Sequence, residues 1–338
     1  MIAAAAFRQD EPLRRPLRDA ALVLAALAAA ILVAWAMGNA WWLSFLARVA
    51  ITATAALSLS YLIGQAGLVS FGHAAQVGLG AYVALIAGEY GVSDLTLLAP
   101  LAFATAALWS AITGALALRT RGVYFIMVTL AFAQMAYYVV HDTPLGGGTD
   151  GIYLTLLPTL GGSLDLAKAP VMYGLTLAAL ALVFGGLALL SRSRFGRALA
   201  GIRVNEQRMR ATGFATYPYK LAAFTISGGI AGLAGFLFAV KDGFVNPELL
   251  SWHLSGAVLI MIILGGIGHL RGALIGAFAF ALLQEFFKSE AIFGAFAKHW
   301  LLGLGLAIIA CVALMPRGLV GLPAQWREGP GCVRSRPA

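Results

Sequence analysis

Ten apolar runs constrain this chain more than any other feature. They cover residues 19–37, 42–63, 73–88, 95–118, 123–140, 171–190, 221–240, 253–264, 273–287 and 300–315. A run of about 18 apolar residues or more reads as a transmembrane helix, because in lipid the backbone must pair its own polar groups. The eighth and ninth runs are short, and neither need span alone. Charge agrees with this reading: 11% of the 338 residues are charged and 61% are hydrophobic. That is too little charge to cover a soluble surface of this size. The expected fold is an all-α polytopic membrane protein of about ten transmembrane segments. A cleaved leader is the rival for the first run, where "AWA" at 34–36 resembles a cleavage site. The long stretch before it, with Arg8, Arg14, Arg15 and Arg18, favours an uncleaved helix.

Basic residues set the orientation. With the N-terminus inside and the runs alternating, 18 of the 23 Lys and Arg fall on the inner side. They are the four leader arginines, Arg119 and Arg121, seven between 192 and 220, Arg271, and Arg317, Arg327, Arg334 and Arg336. The outer loops hold Lys168, Lys241, Lys288 and Lys298. Cytoplasmic loops are the Lys/Arg-rich ones, so both termini are expected in the cytoplasm. The division is then a cytoplasmic tail at 1–18, a transmembrane domain at 19–322 and a cytoplasmic tail at 323–338. The net charge of +9 is explained by topology and requires no nucleic acid. Cys311 and Cys332 are too few for a disulfide framework or a metal site.

Two loops are long. The outer one, 141–170, is rich in Gly and Pro. In the inner one, 191–220, Phe195, Leu199, Ile202 and Met209 recur at near-helical spacing among arginines. That pattern predicts short amphipathic helices, which either anchor to anionic lipid or dock a soluble partner.

Enzymatic chemistry finds little support. No Gly-rich loop ends in the Lys-Ser/Thr pair that a phosphate-binding loop requires. "GGIGHLRG" at 265–272 lacks the spacing and the preceding strand of a dinucleotide loop. The five histidines show no paired ligand spacing on one helix, so no metal is expected. An ion-coupled transporter usually needs ionisable groups at mid-membrane. Arg48 can snorkel outward, and Glu285 lies near an outer boundary close to Lys288, where an interfacial pair is expected. A passive channel leaves the basic inner loop unexplained.

The polar interruptions carry more information. "YLIGQAGLVSFGHAAQVGLGAY" at 61–82 places Gly64, Gly67 and Gly72 beside Gln65, Ser70 and His73 in an otherwise apolar chain. Glycine at this density weakens a helix. A break inside a membrane protein is tolerated only where protein or a water-filled cavity satisfies the freed backbone. Ser70 is placed to cap a helix starting near His73, and such a half-helix N-terminus at mid-membrane can meet an anionic solute group. A second interruption, at Gly265, Gly266 and Gly268, sits in the other half. Paired interruptions point to a transport pathway, which is assigned to Gly64, Gln65, Gly67, Ser70, Gly72, His73, Gly265, Gly266 and Gly268. Close helix packing through small residues is the competing explanation for the same glycines.

Several segments in order now resemble a known family: "GQAGLVSFGHAAQVGLGAY", "GVYFIMVTLAFAQM", "GGGTDGI", "SRFGRALAGIRVNE", "KLAAFTISGGIAGLAGFLFA", "LGGIGHLRGALIGA" and "MPRGLVGL". Together, over about 57–322, they resemble the second permease type of the branched-chain amino acid ABC importers. Relatives in that family handle urea, short amides and other small solutes. The resemblance implies a type II importer-like fold with Gly-broken helices and no catalytic residues, cofactor or metal of its own. It implies a sister permease, two cytoplasmic ATPases that use ATP and Mg, and a periplasmic binding protein docking on the outer loops. It also implies that Gly196, Arg197, Arg203, Asn205, Glu206 and Gly213 belong to a loop pressed into an ATPase groove. His269, Arg271, Gln76 and the Met209-Arg210 pair depart from the family's usual residues, which leaves the solute open.

Overall fold

The computed structural model describes residues 40–143, 147–154, 158–159, 166, 168–315 and 318–321. The apolar run expected at 19–37, both terminal tails and part of the 141–170 loop lie outside the described residues. The other nine expected runs each coincide with a helix. In chain order these helices are α1 (Ala40–Tyr61), α2 (His73–Glu89), α3 (Leu95–Ala117), α4 (Val123–Asp142) and α5 (Ala169–Arg192). The basic loop forms α6 (Arg194–Val204) and α7 (Glu206–Ala211). There follow α8 (Thr216–Asp242), α9 (Trp252–Gly265), α10 (Leu270–Lys288), the short α11 (Glu290–Phe293) and α12 (Trp300–Leu314).

Among the described residues, seven helical stretches are long and apolar enough to cross a membrane, α12 being counted with its flanking turns as Ala297–Gly321. The helices α2 and α9 fall short of that measure, at 17 and 14 residues. At about 1.5 Å per residue they reach only about 25 and about 21 Å. Both are bounded by a glycine-rich interruption, which is what shortens them.

The core is built around α8. It is buried over most of its length, as is α1, whereas α12 buries Leu304 alone. Small residues explain how α8 achieves this. A Cβ on Gly80 of α2 would fall on the Gly232 carbonyl, and one on Gly235 would fall on the Val77 carbonyl. On another face, Gly232 admits Ala106 of α3 and Gly229 admits the Phe103 ring. Glycine there lets backbones touch, the packing device of membrane helices.

At the opposite end from the basic loop, β1 (Ile152–Tyr153) pairs antiparallel with β2 (Phe244–Val245), with Ile152 opposite Val245. This ties part of the 141–170 loop to the α8–α9 connection. Arg48 lies 3.8 Å from Asp242 at this end, so it is partnered as well as exposed. The expected pair of Glu285 and Lys288 is not formed. Lys288 instead sits over the Trp300 ring, 4.5 Å from its centre, and Glu285 lines an apolar groove with Leu264, Leu282 and Cys311.

Candidate functional site

The helix break lies at the end of the molecule that carries the basic loop, where Arg203 meets it. The reason is length: the helical stretch from Trp41 runs 26 residues to Ala66 before it fails, more than enough to cross a bilayer. Past Tyr61 it widens into a π-turn, Leu62–Ala66, and stops at Gly67. Gly67 has φ 69°, the left-handed conformation that only glycine adopts without strain. Its N–H donates to the Ile63 carbonyl at 3.2 Å, and the Leu68 N–H donates to the Leu62 carbonyl at 3.4 Å.

Hydroxyls borrowed from distant helices satisfy the backbone beyond the break. The Phe71 N–H donates to Thr129 Oγ1 of α4 at 3.2 Å, and the Ala74 N–H donates to Ser255 Oγ of α9 at 2.8 Å. Ser70 stands two residues before the N-cap of α2 and does not cap that helix directly. Its Oγ accepts from the Gly72 N–H at 3.1 Å, while Gly72 is the N-cap of α2 and has no side-chain bond. Ser70 is fully buried.

His73 is locked between two serines. Its Nε2 lies 3.1 Å from Ser58 Oγ and 3.2 Å from Ser227 Oγ. Ser58 donates its hydroxyl proton to the Ala55 carbonyl, and Ser227 donates its proton to the Ser58 carbonyl. A hydroxyl has one proton to give, so Nε2 must carry the hydrogen and donate. Nδ1 is then a bare acceptor, and both it and Gln76 Oε1 are buried without a partner among the described residues. Beside Gln76 is a cavity of about 10 Å³, lined by Gly72, Thr113 and Thr129 among others. It has room for about one water. An amino-acid-sized solute does not fit that cavity.

The second interruption meets the first. The turn between α9 and α10 uses Gly266 (φ 116°) and Gly268 (φ 94°). A Cβ on Gly64 would stand 3.4 Å from Gly268 Cα, so the two segments are in backbone contact. Gly265 has a different role. A Cβ there would fall on the Gly272 carbonyl, which makes it a packing residue between α9 and α10. Gln65 is half-buried in the π-turn, next to that contact.

The inner loop folds as two short helices, with Leu199 and Ile202 buried against the membrane domain. Gly196 is buried and leaves no space for a side chain, because a Cβ would strike the Leu190 and Ser191 carbonyls. Asn205 caps α7, its Oδ1 accepting from the Arg208 N–H at 2.9 Å. Glu206 gathers Lys220 at 2.6 Å, Arg210 at 2.7 Å and Thr216 at 3.1 Å. Burial alone would raise the Glu206 pKa, but the Lys220 hydrogen bond and charge, with Thr216 and Arg210, bring it below the ordinary carboxylate range.

Arg203 turns inward. Its guanidinium donates to the Gly64 carbonyl, and its Cγ is 3.1 Å from where a Cβ of Gly67 would lie. Desolvation lowers its pKa from the ordinary arginine value. A hydrogen bond from a charged donor contributes about 1.5–3 kcal/mol. Arg197, Gly213 and the apolar side chains of Val204 and Phe214 face outward. Gly213 has φ 88° and nothing within 4 Å of a Cβ position.

Sequence reasoning missed Ser58, Thr129, Ser227 and Ser255, which brace the break. Each is a lone hydroxyl in an apolar run, and nothing local distinguishes it from a residue bonding its own helix. Val204 and Phe214 were also missed, though an apolar residue in an arginine-rich loop was an available signal.

The pattern of the family described as branched-chain amino acid transport system / permease component matches residues 41–313. Over 289 residues the chain is 31% identical to the high-affinity branched-chain amino acid transport system permease protein LivM of Escherichia coli K12. That alignment covers 78% of this chain and 66% of the relative, so the chain spans just under two thirds of that protein's length. Shorter stretches resemble the autoinducer 2 import system permease protein LsrC of Klebsiella pneumoniae, 38% identical over 29% of this chain and 30% of the relative. The xylose transport system permease protein XylH of Escherichia coli K12 is 31% identical over 31% of this chain and 28% of its own. No solved structure matches the chain. With seven apolar helices in the described residues and a family match across most of the sequence, this chain is a multi-pass membrane protein of the branched-chain amino acid transport permease family.

Proposed function

We propose that this chain is the membrane-spanning permease subunit of an ATP-driven importer that carries branched-chain or related amino acids across the bacterial inner membrane. The observation that carries the reading is the inner loop: a braced pair of short helices offers Arg197, Val204, Gly213 and Phe214 outward, while Arg203 reaches the helix break behind it. An exposed apolar and basic tip on an internally satisfied scaffold suits a soluble partner better than a lipid anchor. Two cytoplasmic ATPases would dock there and supply the energy from ATP and Mg, which this chain itself would not bind. A sister permease would complete the pathway, and a periplasmic binding protein would dock at the end where β1 and β2 meet. The buried polar groups around the break are hydroxyls, one amide and one imidazole, which suits brief contact with a small zwitterion rather than an ion-coupling site. Permeation of urea, short amides or another small polar solute uses the same features, and the names of the LsrC and XylH relatives extend the class to autoinducer 2 and xylose.

Uptake of labelled leucine by proteoliposomes holding the full complex tests this. It is expected to require the binding protein on one face and ATP on the face of the 191–220 loop. Gly213→Trp is expected to insert normally and to lower uptake about tenfold or more, the size of a lost coupling free energy, with less ATPase bound. Uptake driven by an ion gradient without ATP, or unchanged by Gly213→Trp, would overturn the reading.

A further inference from the structure

We infer that Arg203 is a positioning residue: it latches the 191–220 loop to the end of the broken helix, and through that contact the loop moves the segment that follows the break. The inference rests on the ATP-driven reading above and adds a direction of action to it.

The end of α1 is where a helix leaves carbonyls without partners. Gly67 and Leu68 return to satisfy Ile63 and Leu62, and Arg203, 139 residues away in sequence, donates to Gly64. The same side chain lies along Gly67, with Cγ 3.1 Å from the Cβ position and Cδ 3.7 Å from it. Gly64 in turn touches Gly268. One arginine in the last turn of α6 thus bears on the first interruption directly and on the second through a single backbone contact. Its direction matters, because a side chain aimed into the permease is not available to grip a partner. The outward face is left to Arg197, Val204 and Phe214. The loop itself is held as a unit by Glu206 on Arg210, Thr216 and Lys220, so a push on its outer face arrives at Arg203 instead of being absorbed in the loop.

A latch differs from a docking residue and from a simple brace in what its loss changes. The test compares wild type, Arg203→Met and Arg203→Lys in the complete complex, measuring bound ATPase, ATP hydrolysis and uptake of labelled leucine in the same proteoliposomes. Arg203→Met is expected to keep its ATPases and its basal hydrolysis while uptake per ATP falls about tenfold, within the usual span of coupling free energies. Arg203→Lys, with one compact donor in place of a fork, is expected to fall between the two. If Arg203→Met does not assemble, Arg203→Lys decides by the same ratio, and a wild-type ratio there overturns the latch. Loss of uptake in proportion to lost ATPase, or undiminished uptake per ATP, also overturns it while leaving the importer reading intact. A wild-type complex with no ATP-driven uptake sinks both.

Discussion

Gly80→Val is expected to eliminate the folded permease. Gly80 faces Gly232 where α2 crosses α8, and a Cβ at Gly80 would fall on the Gly232 carbonyl oxygen and within 2.6 Å of its Cα. Backbone cannot rotate away as a side chain can, so the two helices must separate. The separation also carries Gly235 away from the Val77 carbonyl and opens the contacts of Gly228 and Gly229 with α3. Overpacking a tight core costs about 1–3 kcal/mol and occasionally more, and a backbone-to-backbone collision belongs at the upper end. Gly185→Ala is the control, since nothing lies within 4 Å of its Cβ position on α5. That substitution improves helix propensity by up to about 1 kcal/mol. Monodisperse yield in detergent and the thermal midpoint measure both. Gly80→Val with normal yield would mean that the α2–α8 crossing is looser than described.

Gly67→Ala and Gly72→Ala are expected to behave in the opposite way, assembling normally while uptake falls about tenfold. At Gly67 the backbone is left-handed, which costs an L-residue about 1–2 kcal/mol. The new methyl would also press on Arg203 Cγ, 3.1 Å away, so that side chain must shift by a few tenths of an ångström. At Gly72, φ is −81°, so there is no backbone strain, and the Cβ would meet the Thr129 carbonyl at 3.1 Å. Both changes stiffen or crowd the short connection without prising helices apart. Assembled complex and solute uptake are measured on the same preparation. Loss of assembly in proportion to uptake would assign these glycines to packing, as the geometry already does for Gly265.

The residues explain what was readable. Spans such as 95–118 and 171–190 are legible because lipid demands length and apolarity, and those are properties of a single run. The inner loop is legible because Leu199 and Ile202 repeat at helical spacing among arginines. Glycine density shows that a helix fails, but the helical length before it, which includes the π-turn at Leu62–Ala66, decides where along the helix the break falls. The partners of the break were not legible at all. Arg203 meets Gly64 and Ser255 meets Ala74 only because α6 and α9 fold back onto one end of the molecule, and nothing within either run encodes that. Among the residues proposed for coupling, Gly196 and Asn205 were chosen by family likeness, yet their contacts are those of a close helix approach and a helix cap.

The central claim is that the connection between α1 and α2 opens during transport, and Ser70→Cys tests it most directly. Ser70 is fully buried, three residues before His73. A cysteine there is measured for reaction with a small water-soluble thiol reagent in the assembled complex, first without nucleotide, then with ATP, then with ATP trapped before hydrolysis. The expected result is an inert thiol in one of these states and a reactive one in another, with Gly67→Ala reducing the difference. A thiol that stays inert in every state would contradict the claim and leave the break as a feature of packing alone.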